Sequence, residues 1–212
     1  MPLLNSLLRL TRFWNLLIIG LAEYCTAGFL ISTETIFDIR LFLLTTSTIL
    51  IAAAGYIIND YYDVKIDLIN KPERVIIGKD ITRRYALLFH ILLSVIGVAI
   101  GFFLNWKIGV ANFICAFLLW LYSNALKRLP FIGNFTVALL TGLSIFIVNL
   151  LYPPMMVLVG IYSLFAFFIT MVREIIKDLE DLRGDDTFGC KTLPIVWGIR
   201  KTKMFTYFLL TL

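Results

Sequence analysis

Asn59-Asp60-Tyr61-Tyr62-Asp63-Val64-Lys65-Ile66-Asp67 stands at the mouth of an apolar run, and the fold is read outward from it. At about 100° per residue, a helix through this stretch puts Asp60, Asp63 and Asp67 at roughly 0°, 300° and 340°, on one face. Asn59, one turn before Asp63, edges the same arc. The pattern returns downstream in Lys177-Asp178-Leu179-Glu180-Asp181-Leu182-Arg183-Gly184-Asp185, again after an apolar run. Both copies read D-x-x-D-x-x-x-D. Two carboxylates about 4 Å apart cost roughly 4 kcal/mol at an effective dielectric near 20. A solvated helix end has no need of that repulsion, whereas hard divalent cations relieve it. Mg²⁺ takes oxygen ligands and commonly joins one or two carboxylates to substrate phosphates.

The surroundings are those of a membrane protein. Of the 212 residues, 60% are hydrophobic and 16% charged, and the mean hydropathy is +0.90. A membrane helix needs ~20 mostly apolar residues, and such runs predict helices near Phe13–Ile31, Leu41–Asp60, Tyr85–Leu104, Ile108–Asn124, Gly133–Leu151 and Pro154–Ile176, with a seventh beginning near Met204. That last run is too short to span, so a single transmembrane domain over 1–212, truncated at its C-terminus, is expected. No cleavable signal is evident. Cys25, Cys115 and Cys190 are scattered without a C-x-x-C, which disfavours a disulfide or a cysteine metal site. His90, the one histidine, reads as a buried polar contact.

Of the 19 Lys and Arg residues, all but Arg40 and Lys107 fall on one side of this arrangement. The positive-inside rule makes that side cytoplasmic, which for a prokaryotic cell means an inner-membrane protein with its site facing the cytoplasm. Both acidic stretches lie there, so one shared site is expected. The pI near 9.2 is thus topology and phosphate binding, not nucleic-acid binding. Helix 2 with its motif and basic loop parallels helix 6 with its own, and the helices between them are expected to bring the motifs together across a central cavity. Thr45, Thr46, Ser47, Thr48, Asn112 and Asn149 are polar positions within spans, tolerated when they face a protein interior.

After the first motif comes Leu68-Ile69-Asn70-Lys71-Pro72-Glu73-Arg74. Lys71 and Arg74 suit phosphate oxygens, the lysine as a point charge and the arginine as a fork. From Asn59 to Arg74 the stretch resembles the UbiA superfamily of intramembrane prenyltransferases, whose first signature reads N-D-x-x-D-x-x-x-D and runs on into N-K-P-x-R. Arg12-Phe13-Trp14-Asn15 is similar to the family's first-helix signature R-P-x-N, with Phe13 in place of the proline. Tyr122-Ser123 with Lys127-Arg128, then Gly133-Asn134, resembles the loop after helix 4. Arg173-Glu174-Ile175-Ile176-Lys177-Asp178 through Asp185, with Gly189, Lys191, Thr192, Leu193 and Pro194, resembles the second signature. Its R-E-x-x-K-D form is closest to the branch that alkylates geranylgeranylglyceryl phosphate.

The resemblance implies an all-α membrane bundle of nine helices, about six and a half of them present here, with Mg²⁺ held between the motifs. Asn59, Asp63 and Asp67 would serve one ion and Asp181 and Asp185 the other, with Asp60 and Asp178 close by. Lys71 and Arg74 join the aspartates as the catalytic set. Arg12, Asn15, Tyr122, Ser123, Lys127, Arg128, Lys177 and Lys191 would bind substrate. The expected reaction moves a prenyl group from a polyprenyl diphosphate such as geranylgeranyl diphosphate to an acceptor. Mg²⁺ and basic side chains neutralise the departing pyrophosphate, while Tyr56, Tyr62, Tyr122 and Phe117 are candidates to face the carbocation. The basic surplus favours a geranylgeranylglyceryl phosphate-type lipid as acceptor, with 4-hydroxybenzoate or another aromatic acceptor as the alternative. The partners expected are thus these substrates and membrane lipids, with no nucleic acid and no obligatory protein.

Two other classes remain to be weighed. A CDP-alcohol phosphotransferase needs Gly and Ala-Arg directly after its first aspartate pair, where this chain has Val64-Lys65-Ile66-Asp67. A divalent-cation transporter would carry its carboxylates in mid-span, whereas these lie at one membrane edge among lysines and arginines.

Overall fold

The computed structural model describes residues 2–153 and 156–211. Among them lie helices α1 (Pro2–Leu10), α2 (Phe13–Cys25), α3 (Ile39–Asn70), α4 (Arg83–Leu104), α5 (Trp106–Asn124), α6 (Ile132–Phe146), α7 (Val148–Leu151), α8 (Met156–Glu180), α9 (Leu182–Thr187), α10 (Leu193–Trp197) and α11 (Ile199–Leu210). No strand is formed by the described residues beyond one isolated pairing of Ile77 with Ile81. Among the described residues, six helical stretches are long and apolar enough to cross a membrane. The chain is an all-α, multi-pass membrane bundle.

Helix α3 organises it. Asp38 caps its N-terminus, its carboxylate accepting the Arg40 N–H at 2.8 Å, as acidic N-caps do. The helix then runs 32 residues, or about 48 Å at 1.5 Å per residue, against a hydrocarbon core of about 30 Å. Its last turns therefore leave the apolar layer, and Asp60 to Asn70 emerge as helix at the membrane edge. Sequence reading ended this span at Asp60. The apolar window does end there, but the backbone keeps its helical bonds until Lys71 and Pro72 break them.

Close packing of α3 with α4 and α5 relies on small residues. A Cβ on Gly97 would stand 3.0 Å from the Ser47 carbonyl oxygen, so only glycine admits this approach. Ser47 Oγ donates to the Gly97 carbonyl at 2.6 Å, and Asn112 Nδ2 donates to Ser47 Oγ at 2.6 Å. These polar positions thus serve helix–helix contact. His90 Nδ1 lies 3.0 Å from the Ala54 carbonyl oxygen, the buried contact expected of it. On the other side α6 packs along α8. Large apolar side chains such as Phe29, Phe103 and Phe165 face outward, where lipid tails belong.

Three further boundaries depart from the sequence reading. The fifth span divides at Ile147 into α6 and α7. The sixth reaches Glu180, while Pro154 and Met155, where it was expected to begin, lie outside the described residues. The final helix opens at Ile199, just after Gly198 at φ 80°, and not near Met204. The two motif copies also differ. The first is one continuous helix, but the second breaks at Asp181 and resumes as α9, so Asp185 stands on a separate short helix.

Candidate active site

Both acidic segments reach one polar cavity of about 1280 Å³ at the end of the bundle that carries the basic loops. The first segment enters on the exposed turns of α3. Asn59 Nδ2 donates to Asp63 Oδ2 at 2.9 Å, the i, i+4 contact that helical spacing provides. Lys127, from the turn after α5, places its ammonium 2.6 Å from Asp63 Oδ1. Arg12 meets Asp60 Oδ1 at 2.9 Å, and its guanidinium lies 4.9 Å from the Tyr56 ring centre. Arg12 does this from a left-handed backbone, φ 52° and ψ 55°, in the joint between α1 and α2. A non-glycine residue held there carries local strain, and here the strained residue carries a charge into the cavity.

The second segment arrives from the α8–α9 break. Lys71 approaches Asp181 Oδ1 at 2.6 Å, linking the loop after the first motif to the second. Asn134, at the start of α6, donates to Asp178 Oδ2 at 2.8 Å. Asp67, Asp185 and Lys177 also line the cavity, and their side chains make no hydrogen bond or ion pair among the described residues. Burial first, then the charges of Asp181 and Asp63, push the Asp185 carboxyl up to about 6. Burial lowers Lys127, against the opposing pull of Asp63.

A second, smaller cavity of about 370 Å³ lies deeper in the membrane layer. Its walls are largely apolar, with Ile18, Ile51, Leu119, Val137 and Leu140 among them. Arg12, Asn15, Asn59, Tyr122, Arg173 and Lys177 line both cavities. The two spaces therefore meet at a ring of cations, amides and one phenol.

Most residues singled out from sequence converge here. Arg12, Asn15, Asn59, Asp60, Asp63, Asp67, Lys71, Tyr122, Lys127, Lys177, Asp178, Asp181 and Asp185 all face the polar cavity. Ser123 does not: its hydroxyl is turned back onto the Leu119 carbonyl of its own helix. Arg128 and Lys191 are tied to each other through their backbones, Lys191 N–H to Arg128 C=O at 2.8 Å, and line neither space. The Arg74 side chain is outside the described residues. Of the aromatic candidates, Tyr56 and Tyr122 line the apolar cavity. Tyr62 packs edge-on against Tyr61, and Phe117 is exposed on the outer face.

The carboxylates are less tightly grouped than a metal site requires. Among the described residues no three His, Cys, Asp or Glu side chains gather around one point, and the ammonium groups of Lys71 and Lys127 stand against Asp181 and Asp63. The donor set still fits Mg²⁺. It consists of hard oxygen atoms with neither thiolate nor imidazole, and two of its carboxylates, Asp67 and Asp185, have no counter-charge paired to them among the described residues.

A family model for UbiA prenyltransferases matches residues 24–212. The chain belongs to the UbiA prenyltransferase family. Among relatives of this UbiA chain is the digeranylgeranylglyceryl phosphate synthase of Saccharolobus solfataricus, 39% identical over 99% of this chain and 74% of that protein. The enzyme of the same name from Methanosphaera stadtmanae is 40% identical over 74% of this chain and 57% of its own length. A solved digeranylgeranylglyceryl phosphate synthase superposes with a TM-score of 0.76 at 30% identity, covering 99% of this chain and 74% of that one. A UbiA homologue from Archaeoglobus fulgidus, solved with DMAPP and Mg²⁺, shares the fold at a TM-score of 0.72 and 20% identity, over 96% of this chain and 73% of that one.

Sequence reading missed several contributors. Asn5 and Arg9 of α1 line the polar cavity, and Glu174, noticed only within the second signature, lines the apolar one. Asn134 was noticed only as part of a signature, yet it holds Asp178. A lone asparagine at a helix start carries no spacing pattern that would have marked it.

Proposed function

We propose that this chain transfers a geranylgeranyl-type group from its diphosphate to the free hydroxyl of a prenylated glycerol phosphate, releasing pyrophosphate. The observation that carries the reading is the junction of the two cavities. An allylic diphosphate is an apolar tail with an anionic head, and the paired spaces match it in polarity and order. The tail takes the apolar cavity, and the diphosphate head lies among Arg12, Lys71, Lys127 and Lys177. Asn59, Asp63 and Asp67 would hold one Mg²⁺ and Asp181 and Asp185 another, with Asp60 and Asp178 alongside. Bound there, Mg²⁺ supplies Lewis-acid neutralisation of the leaving diphosphate.

The remaining chemistry belongs to side chains. Lys177 and Arg12, at the ring where the cavities meet, sit where charge develops on the bridging oxygen as the C1–O bond breaks. Tyr56 and Tyr122 offer π faces to the allylic cation, worth ~0.5–2 kcal/mol per ring. Apolar walls keep water from capturing that cation. The acceptor oxygen then bonds to C1, and its proton leaves toward the released pyrophosphate. The digeranylgeranylglyceryl phosphate synthase names of the relatives and the DMAPP and Mg²⁺ bound by the Archaeoglobus protein support donor, metal and acceptor class. The inside-positive distribution of basic residues supports a cytoplasmic site, in the inner membrane if the cell is prokaryotic.

The test is direct. Protein in membranes is given labelled geranylgeranyl diphosphate with either geranylgeranylglyceryl phosphate or 4-hydroxybenzoate. The ether lipid and pyrophosphate are expected, and EDTA should abolish both reversibly. Prenylated 4-hydroxybenzoate with no ether lipid would overturn the acceptor, and undiminished turnover in EDTA would overturn the metal.

A further inference from the structure

Helix α9 begins at Asp181, in the position where an aspartate ordinarily caps its own helix by accepting the N–H two or three residues on. Asp181 makes no such bond. The N–H that it would be expected to cap, that of Gly184, is bonded at 2.9 Å to the side-chain oxygen of Asn70, from the far end of α3. The Asn70 amide nitrogen in turn donates to the Asp181 carbonyl at 3.1 Å. One side chain therefore grips the backbone of the second acidic segment at two points, on either side of its break. The fit admits no bulk. A Cβ on Gly184 would stand 2.6 Å from both Oδ1 and Cγ of Asn70, and Gly184 is itself buried. Meanwhile the Asp181 carboxylate, not needed as a cap, meets Lys71 in the polar cavity.

We infer that Asn70 is a positioning residue that caps the second acidic helix from the first, fixing the register of the two motifs and releasing the Asp181 carboxylate to the cavity, with Gly184 as the residue that admits it. The inference rests on the preceding reading for what the carboxylate does, though not for the cap itself. Asn70 closes the stretch that contains the first motif, and Gly184 precedes Asp185. The residues that link the motifs thus lie within the motif segments, so an error in their relative placement moves Asp181 and Asp185 together.

The experiment compares backbone hydrogen exchange of residues 182–187 in the full chain, in detergent micelles without metal, for wild type, Asn70→Ala, Gly184→Ala, the double variant and Asp181→Ala. Asn70→Ala is expected to speed exchange in this segment about tenfold, the scale of one lost cap. Gly184→Ala should do the same, and the double variant should be no worse than Asn70→Ala, since both remove one interaction. Asp181→Ala should leave exchange as in wild type. The reverse pattern, protection lost in Asp181→Ala and kept in Asn70→Ala, would show an ordinary self-capped helix and overturn the inference. So would additive losses in the double variant. Asn70→Ala alone still decides the matter if Gly184→Ala does not fold. Mn²⁺ binding, read by the free-ion resonance signal, should weaken about tenfold in Asn70→Ala, as for other residues that orient metal-binding groups. Unchanged Mn²⁺ affinity in that variant would overturn the positioning role. Wild type that binds no Mn²⁺ would instead sink the metal reading, and the exchange pattern would still decide the cap.

Discussion

Replacing Lys127 with methionine tests how the acidic cluster is held when no metal is bound. Lys127 and Asp63 are 2.6 Å apart, with side chains only 9% and 15% exposed. At that separation and an effective dielectric near 20, their attraction is about 6 kcal/mol before desolvation is charged against it. Removing one partner of a buried pair typically costs ~3–5 kcal/mol, because the other charge is left uncompensated. Methionine keeps most of the volume, so packing changes little. In this variant Asp63 faces the same-face carboxylates of Asp60 and Asp67 without its counter-charge.

A chain of this size loses about 2–4 °C per kcal/mol, so metal-free Lys127→Met should melt roughly 6–20 °C below wild type. Mg²⁺ alone should return much of that loss, since the cation supplies the charge that the lysine had given. The assay is thermal unfolding in micelles, with EDTA and with Mg²⁺ in the absence of pyrophosphate, whose binding would itself use Lys127. The decisive quantity is the ligand-induced shift, larger in the variant than in wild type. An equal shift in both, or a metal-free variant as stable as wild type, would refute the idea that lysine and metal share one electrostatic role.

Other outcomes follow from the same geometry. Tyr122→Leu should lower turnover by about 2–30-fold with little change in the donor KM, the scale of one cation–π contact felt in the transition state; an unchanged kcat would remove Tyr122 from the cation's surroundings. Burial pushes the Asp185 carboxyl up to about 6 from the ordinary aspartate value of 3.8, which favours the protonated folded state. Its contribution to metal-free stability is therefore complete below about pH 3.8 and lost as pH rises through about 6. Asp185→Asn should flatten that part of the stability profile, and wild-type Mg²⁺ affinity should climb over the same range; a profile identical in wild type and variant would refute the assignment. In a cysteine-free background, cysteines at Lys79 and Thr187 should be labelled from one side of sealed vesicles and a cysteine at Thr33 from the other. Labelling of Lys79 and Thr187 positions from opposite sides would exclude a shared site.

What was legible in the sequence was what has a period or a length. Apolar runs of membrane-spanning length gave the spans, and the i, i+3, i+7 spacing of Asp60, Asp63 and Asp67 gave a true helical face, because α3 is unbroken through it. The same spacing misled at Asp178, Asp181 and Asp185. Their helix breaks at Asp181, and nothing in a run such as Asp-Leu-Glu-Asp-Leu-Arg-Gly-Asp announces the break except a glycine. The break is held by Asn70, 111 residues away, and a tertiary hydrogen bond has no local signature. Charge was read by sign and side but not by partner. Arg128 and Lys191 looked equal to Lys71 and Lys127 as basic loop residues. Only the paths of the turns send two of them into the cavity and leave two on its outside.

The arrangement of charge also explains why the site stands at an edge. Carboxylates in the middle of the layer would be neutralised by protonation before they could hold a cation. Carried on the emergent turns of α3, Asp63 and Asp67 can stay within reach of water while Tyr56 and Ala52, about two and three turns deeper than Asp63 on the same helix, line the apolar space. One helix thus samples both media within a few turns, about 5.4 Å each. A substrate with an anionic head and an apolar tail is aligned by that gradient alone, before any particular side chain touches it. Specific contacts are then left to fix the reacting carbon at the ring of Arg12, Asn15, Asn59, Tyr122 and Lys177, where the two cavities join.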